Sequence, residues 1–208
     1  IITYKPEKSW NFEAGTHLGS RDGRLRAELS VFYIRVTDQQ LTMFPDGTTT
    51  GRVMTNAGRT RSFGAELSLL YAPIEKLSLQ CAYGYTNARF TRFDDGREDY
   101  SGNYLPYAPQ HTLFIGAFSR LPLRCGWCNA VELGADLTGT GPIYWNEDNS
   151  RRQDFYARLG LSATLSAPKW SLSVWGKNLT CTRYDTFYFV SMGNEFLQEG
   201  KLITFGAT

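Results

Sequence analysis

The chain has 208 residues with 22 basic and 20 acidic side chains, so its formal net charge is only +2. A nearly balanced charge argues against the polybasic surface that nucleic-acid binding requires, and the apolar runs are too short for a transmembrane helix, which needs about 20 residues. A membrane β-barrel is not excluded, because its strands alternate apolar and polar side chains and have low overall hydropathy. The chain begins with neither an initiator Met nor an apolar signal region, so we expect a piece of a longer protein.

A period-two pattern of apolar residues predicts an all-β protein. From Phe155 to Leu165 every second residue is apolar, whereas Arg158, Ser162 and Thr164 point to the opposite face. No segment shows a helical stripe. In chain order the predicted strands span residues 9–19, 24–37, 60–71, 77–91, 108–119, 127–141, 153–166, 170–178 and 201–208.

Short and long connections alternate between these predicted strands. The short ones are residues 20–23, 72–76, 121–126 and 167–169, and the long ones are residues 38–59, 92–107, 142–152 and 179–200. In an up-and-down sheet, successive connections lie at opposite ends, so all the long loops share one end. Outer-membrane barrels have this asymmetry, with short periplasmic turns and longer extracellular loops.

Strand length supports a membrane barrel over a soluble sheet. In the second predicted strand, the apolar face runs from Leu25 to Tyr33 before Arg35 takes it over. A tilted strand needs about 9–11 residues to cross a bilayer, and aromatic residues lie at both ends of such bands, as lipid interfaces favour. The alternation predicts that a continuous face meets lipid, which includes Leu25, Leu29, Leu67, Leu79, Leu133, Leu159 and Leu161. Four residues fall on the supposedly polar face, namely Phe32, Ile34, Phe114 and Phe118.

The sequence contains no recognisable catalytic constellation. GxSxG, P-loop and HExxH motifs are missing from it. Cys125 and Cys128 form a CxxC pair without a nearby His, and a structural zinc site needs four ligands. We therefore interpret the pair as part of a turn and expect no enzyme activity, no resident metal and no cofactor.

Four segments, in order along nearly the whole chain, resemble TonB-dependent outer-membrane receptors. They are NAGRTRSFGAE (56–66), YLPYAPQH followed by TLFIGAF (104–118), TGTGPIYW (138–145) and WGKNLTCTRY (175–184). No one of these motifs is specific alone, and the resemblance is carried by their combination.

The resemblance implies the architecture and the function. Such receptors have a barrel of about 22 strands closed by a plug domain, so residues 1–208 are expected to be about nine C-terminal strands, without the plug and the earlier strands. The implied function is active uptake of a scarce nutrient (a ferric siderophore, cobalamin or a glycan) across the bacterial outer membrane. The implied partners are outer-membrane lipid, lipopolysaccharide, the nutrient, and an inner-membrane energy-coupling protein that acts through the plug.

The long loops hold the candidate ligand-binding residues. Acidic side chains cluster in the second long loop, where a cation site is an alternative to a solvated loop. Aromatic and basic side chains in the third loop can stack on a ring or meet an anion. The predicted contact residues are Asp94, Asp95, Asp99, Tyr144, Trp145 and Arg151. Arg35 and Arg89 lie on the lipid-facing side above the apolar band, where lipopolysaccharide contact is expected.

A soluble β-sandwich that binds carbohydrate is the competing hypothesis. In that fold the leucine face would be buried between two sheets, whereas a barrel leaves it open to lipid. The burial of these leucines therefore distinguishes the two.

Overall fold

The computed structural model describes residues 5–43, 53–191 and 194–208, and every regular element in them is a β-strand. Each of the nine predicted strands is present, and two short hairpins are added. The loop segment FPDGTTTG lies outside the described residues. The strands are β1 (Lys8–Gly19), β2 (Leu25–Met43), β3 (Val53–Ile74), β4 (Leu77–Arg92), β5 (His111–Cys125), β6 (Cys128–Gly141), β7 (Ile143–Tyr144), β8 (Arg152–Gln153), β9 (Tyr156–Ser166), β10 (Ser171–Lys177), β11 (Asp185–Ser191), β12 (Asn194–Glu199) and β13 (Thr204–Ala207).

Nine of these strands form one antiparallel sheet in the order β1-β2-β3-β4-β5-β6-β9-β10-β13. Each long strand pairs with the next one along the chain, which is the predicted up-and-down arrangement. Within the described residues β1 and β13 are the two edges of the sheet, so the structure is part of a barrel. The hairpins β7–β8 and β11–β12 form two separate small sheets. The described residues include no helix long and apolar enough to span a membrane.

Strand register places the predicted lipid-facing residues on one side of the sheet, called here the outer face. Leu29 pairs with Leu67, and Leu67 pairs with Tyr83. Partners directly across antiparallel strands point to the same side. Leu29 and Leu133 are each 46% exposed, whereas a sandwich core would bury them. The apolar outer face is therefore open, as the barrel prediction requires.

The opposite, inner face is mainly polar, and its phenylalanines have a packing role. Glu28, Glu66 and Arg158 lie along one inward groove. The rings of Phe32 and Phe118 cover Gly64 and Gly134, their partners on the neighbouring strands. An aromatic ring that lies on a glycine replaces the side chain the glycine lacks. Phe32 and Phe118, two of the four residues that broke the alternation, therefore fill space above inward-facing glycines.

The predicted connections need two corrections. The first long connection is shorter than expected, because β2 continues to Met43 and β3 begins at Val53. The loops predicted at 142–152 and 179–200 contain the hairpins β7–β8 and β11–β12.

In the short turn between β5 and β6, Cys125 and Cys128 form a disulfide bond. The CxxC pair therefore closes a turn, as interpreted from the sequence.

Candidate functional site

Three long connections pack against one another at the end of the sheet opposite the short turns. This region, called here the outer rim, comprises the described residues of 93–110, 142–155 and 178–203. The amide of Tyr107 donates to the carbonyl of Tyr144 at 2.8 Å, and the Asn103 side chain donates to the Glu147 carbonyl at 2.9 Å. All six predicted contact residues lie in the rim, although they have different surroundings.

The predicted acidic cluster forms a tight hairpin in the first rim segment. The Oδ1 atom of Asp95 accepts hydrogen bonds from the backbone amides of Arg97 and Glu98, each at 2.9 Å. Burial of the Asp95 carboxyl group raises its pKa. The hydrogen bonds from the amides of Glu98 and Arg97, the hydroxyl of Tyr100 and the charge of Arg97 together outweigh burial, so the pKa lies below its ordinary value. Asp95 is buried, and it therefore stabilises the loop backbone.

The exposed acidic residues Asp94 and Asp99 also build turns. Asp94 accepts from the amide of Gly96, and Asp99 accepts from the amide of Ser101, both at 2.9 Å. Side-chain bonds to an amide two residues ahead are typical of Asx turns. Among the described residues, no group of three or more His, Cys, Asp or Glu side chains is arranged to hold a metal ion. The geometry therefore favours a turn over the cation site considered from the sequence.

A stack of four side chains joins β4 to the rim. The Tyr104 and Tyr144 rings are stacked, with centroids 5.1 Å apart and planes at 6°. The Arg89 guanidinium lies 3.7 Å from the centroid of Tyr104 and that of Arg152 lies 5.9 Å from the centroid of Tyr144. A cationic group near an aromatic ring is favourable. Tyr144 therefore has a structural partner on one ring face.

Asn149 locks the two rim segments together next to this stack. Its Oδ1 accepts from the amide of Tyr104 at 2.7 Å, and its Nδ2 donates to the carbonyls of Tyr104 and Asn146 at 2.9 and 3.1 Å. Its φ of 58° lies in the left-handed region, which asparagine tolerates better than most residues. No pattern in the sequence indicates this role, because Asn149 looks like any other polar loop residue.

Trp145 belongs to a small buried core in the rim. It is 5% exposed and packs with Ile143 and Tyr188, and the Tyr107 ring meets it edge-on at 5.3 Å. The Tyr107 hydroxyl donates to the carbonyl of Tyr188 in β11. Trp145 therefore connects the rim segments instead of standing exposed as a stacking surface.

Arg151 is exposed and binds a carboxylate from another rim segment. Its guanidinium forms an ion pair with Glu195 of β12. The hydrogen bond that the guanidinium donates to this carboxylate, together with the negative charge of Glu195, raises the pKa of Arg151. The pair fastens the β11–β12 hairpin to the loop that follows β7. Arg151 is thus held in place by Glu195 at one end of the hairpin.

A row of exposed aromatic residues on the rim was missed from the sequence. We call Tyr107, Phe187, Phe189 and Phe196 the aromatic ridge. Phe189 and Phe196 are cross-strand partners whose rings stack at 4.9 Å, and Phe187 lies 5.8 Å from both Phe189 and Tyr107. All four are between 45% and 46% exposed. The signal was present in TFYFV, but that run lay in a segment interpreted as a loop.

The last resemblance segment forms a corner that supports the rim. The buried Asn178 side chain donates to the carbonyls of Thr182 and Lys201 and accepts from the Thr182 amide. Tyr184 stacks on Tyr156 at 4.5 Å and accepts a hydrogen bond from Arg158 at 3.0 Å. The motif therefore sets the path of the chain between β10 and β11.

Comparisons with known proteins agree with this architecture. A protein family described as "TonB dependent receptor-like, beta-barrel" matches residues 2–179. The pesticin receptor of Yersinia enterocolitica is 30% identical over 186 residues, which is 89% of this chain and 26% of that protein. The metal-pseudopaline receptor CntO of Pseudomonas aeruginosa is 29% identical over 139 residues, which is 66% of this chain and 18% of that receptor.

Solved structures give the same answer for the fold. The ferric yersiniabactin uptake receptor FyuA from Yersinia pestis matches with a TM-score of 0.80 and 25% identity, over 97% of this chain and 29% of that one. The siderophore receptor PiuA from Acinetobacter baumannii matches with a TM-score of 0.73 and 22% identity, over 96% and 28% of the two chains. The chain thus spans at most about a quarter of the length of the curated relatives it matches. It belongs to the TonB-dependent receptor β-barrel family, whose members are transport receptors of the bacterial outer membrane and not enzymes.

Proposed function

We propose that this chain is the C-terminal barrel portion of an outer-membrane receptor that takes up a ferric siderophore. Two relatives are named for metal complexes with small organic ligands, ferric yersiniabactin and metal-pseudopaline. Cobalamin and glycans are the other nutrients considered from the sequence, and a soluble carbohydrate-binding sandwich is not favoured because the outer face is open. The proposal covers residues 1–208, with the plug and the remaining strands contributed by a longer receptor.

The aromatic ridge is the observation that carries this proposal. The exposed rings of Phe187, Phe189 and Phe196 lie at the loop end of a membrane barrel. Contact with water alone is energetically unfavourable for such apolar rings. Ligand sites combine apolar and aromatic surface with a few polar groups that fix orientation. Arg151 and Glu195 supply such charges at the end of the same hairpin. A compact iron complex with organic rings suits this combination better than a single ion.

The six residues predicted from the sequence take different parts in this proposal. Asp94, Asp99 and Arg151 are exposed and are assigned direct contact with the nutrient. Tyr144 is assigned contact through the edge of its ring, because one face of the ring is stacked on Tyr104. Asp95 and Trp145 are buried, so they position the loops that carry the contacts.

Transport in this proposal needs no covalent chemistry in the barrel. The rim and plug hold the nutrient, and the energy-coupling protein acts on the plug. The strands provide a stiff frame around the path, because each pairs with its neighbours along most of its length.

Binding titrations on the full-length receptor test the assignment. We expect Phe187→Ala combined with Phe189→Ala to weaken ferric-siderophore binding at least about tenfold. The reason is that aromatic side chains covered by a bound partner contribute much of the binding free energy. The matched control is Glu75→Gln with Lys169→Gln in the short turns, which should change affinity less than about twofold. Equal losses from the two sets, or losses from the turn set alone, would remove the rim as the binding site.

A further inference from the structure

The disulfide bond between Cys125 and Cys128 coincides with an irregularity in the pairing of β5 with β6. The ladder is regular as far as Pro122, which lies opposite Ala130. Beyond this pair the register shifts by one position, so that Cys125 lies opposite Cys128. Two residues of β5 therefore face a single residue of β6 between the two pairs, which is a β-bulge. The segment 122–130 is called here the cysteine turn.

The bulge is what brings the two sulfur atoms to the same side of the hairpin. A ladder continued without the bulge would place Arg124 opposite Cys128 and leave residues 125–127 as a three-residue loop. Successive side chains on a strand point to opposite faces, so Cys125 would then leave the side on which Cys128 lies. The disulfide bond and the observed two-residue loop, Gly126 and Trp127, therefore occur together.

The backbone of the two-residue loop does not have the conformation that such loops favour. Two-residue hairpin loops prefer type I′ and II′ turns, in which the first central residue has a positive φ. Gly126 holds this position, but the described residues with a positive φ do not include it. Three-residue loops are also common in hairpins. We therefore attribute the two-residue loop to the disulfide bond rather than to the turn sequence.

The two sulfur atoms differ in their accessibility to another thiol. Cys128 is 2% exposed, whereas Cys125 is half-buried. Beside Cys125 the approach is open, because a Cβ added to Gly126 would find no atom within 4 Å. The rate of thiol–disulfide exchange depends on which sulfur atom can be reached. An incoming thiolate would therefore attack the Cys125 sulfur, with Cys128 as the leaving group.

The position of the cysteine turn supplies both a reactant and a structural consequence. The short turns of outer-membrane barrels face the periplasm, an oxidising compartment in which disulfide bonds form by exchange with dithiol proteins. The Trp127 ring is stacked with that of Trp170 in the turn between β9 and β10, with centroids 6.4 Å apart and planes at 13°. The loop held by the disulfide bond therefore connects two neighbouring short turns.

We propose that the cysteine turn exchanges its disulfide bond with a periplasmic dithiol protein, and that this exchange switches the turn between two registers. In the reducing direction a partner thiolate attacks the Cys125 sulfur, the Cys125–Cys128 bond breaks, and Cys128 leaves as a thiolate that takes up a proton. The second partner thiolate then attacks the partner's own sulfur in the mixed disulfide and releases Cys125, which also takes up a proton. The turn gains two electrons and the partner becomes a disulfide; oxidation reverses these steps.

The reduced turn is assigned the regular ladder and the three-residue loop. The bulge is then lost and Trp127 separates from Trp170, so the redox state of the cysteines decides whether the two short turns are connected. This site lies at the opposite end of the barrel from the nutrient site proposed above and does not depend on it.

Trapping of a mixed disulfide on the folded full-length receptor tests the exchange. The probe is thioredoxin whose resolving cysteine is replaced by serine, so that it remains attached to the sulfur it attacks. After alkylation, trypsin releases peptide 125–151, which contains Cys125 and Cys128 and no other cysteine. We expect at least about tenfold more adduct on Cys125 than on Cys128, because access decides which sulfur is attacked. In the urea-unfolded receptor this preference should disappear. A missing adduct, or equal adducts on the two sulfur atoms of the folded receptor, would overturn the exchange.

Crystal structures of the full-length receptor with and without a small-molecule reductant test the switch. The reduced receptor should have the three-residue loop, with Trp127 separated from Trp170, and Cys125→Ser combined with Cys128→Ser should have the same loop. Adding Gly126→Asn with Trp127→Gly to the serine pair is the matched control, because that sequence favours a two-residue type I′ turn and should restore the two-residue loop without a disulfide bond. An unchanged two-residue loop in the reduced parent overturns the switch, as does a three-residue loop in the control. The reduced parent decides alone should the serine pair not fold.

Discussion

An arginine in place of Leu29 would test whether the outer face meets hydrocarbon. Leu29 lies midway between Leu25 and Tyr33, the ends of the apolar band on β2, and is 46% exposed. At about 3.3 Å per residue the band is about 26 Å long, and a strand tilt of about 40° reduces its height to about 20 Å. The substituted side chain would therefore start about 10 Å from either edge of the band.

This depth sets the expected cost. Arginine near the bilayer midplane of a β-barrel costs about 2–4 kcal/mol, so Leu29→Arg should lower the free energy of unfolding of the full-length receptor by that amount. Ser30→Arg is the matched control, because Ser30 is the next residue on β2, points to the inner face and pairs with Glu66. We expect it to change stability by less than about 1 kcal/mol.

Urea titration of the receptor folded into lipid bilayers, followed by tryptophan fluorescence, measures both variants. A cost at Ser30 equal to or larger than that at Leu29 would show that the two faces are assigned the wrong way round.

Three further predictions concern packing and the rim. Gly64→Ala should lower the free energy of unfolding by about 1–3 kcal/mol, because an added Cβ would overlap a neighbouring backbone oxygen. Gly19→Ala should be nearly neutral in the same urea titration, because the nearest atom is 3.8 Å from the added Cβ. Equal effects of the two substitutions would contradict the packing argument. Asn149→Ala removes three hydrogen bonds and should speed hydrogen exchange of the Tyr104 amide more than tenfold. An unchanged exchange rate would show that Asn149 does not hold the two rim segments together. The lowered pKa of Asp95 means that its charged form stabilises the folded loop at neutral pH, and this contribution is lost as the pH falls below about 4 and through the lowered folded-state pKa. Hydrogen exchange at the amides of Arg97 and Glu98, which donate to Asp95, should therefore become faster at low pH, but not in Asp95→Asn. The same increase in both proteins would refute the role of the Asp95 charge.

The main strands were predictable because a membrane sheet imposes one rule along its whole length. Each residue faces either lipid or the interior, so the period of two is long and clear. Strand ends were less accurate: β2 continues beyond the apolar band to Met43, and β3 begins before it at Val53. The sequence of these extensions does not alternate between apolar and polar residues. There the strands persist through backbone pairing, which leaves no polarity signal.

The rim was harder to predict because its contacts join distant parts of the chain. Trp145 looked available for ligand stacking, yet Tyr188 covers it from β11, and the hydrogen bond from Tyr107 to Tyr188 spans 81 positions. The hairpin β7–β8 has only two residues in each strand, too few for a periodic pattern. These features depend on where the loops meet, and no local pattern encodes that.

Phe32 shows why a departure from alternation need not weaken a strand assignment. An inward phenylalanine is costly when it meets only water, but here the ring lies over Gly64, its partner on β3. The pair buries apolar surface that two separate residues would expose, and the glycine removes the side chain that would obstruct the ring. Phe118 and Gly134 repeat the arrangement between β5 and β6. A phenylalanine on the polar face, matched by a glycine at the same register on the next strand, is therefore evidence for the predicted pairing and not against it.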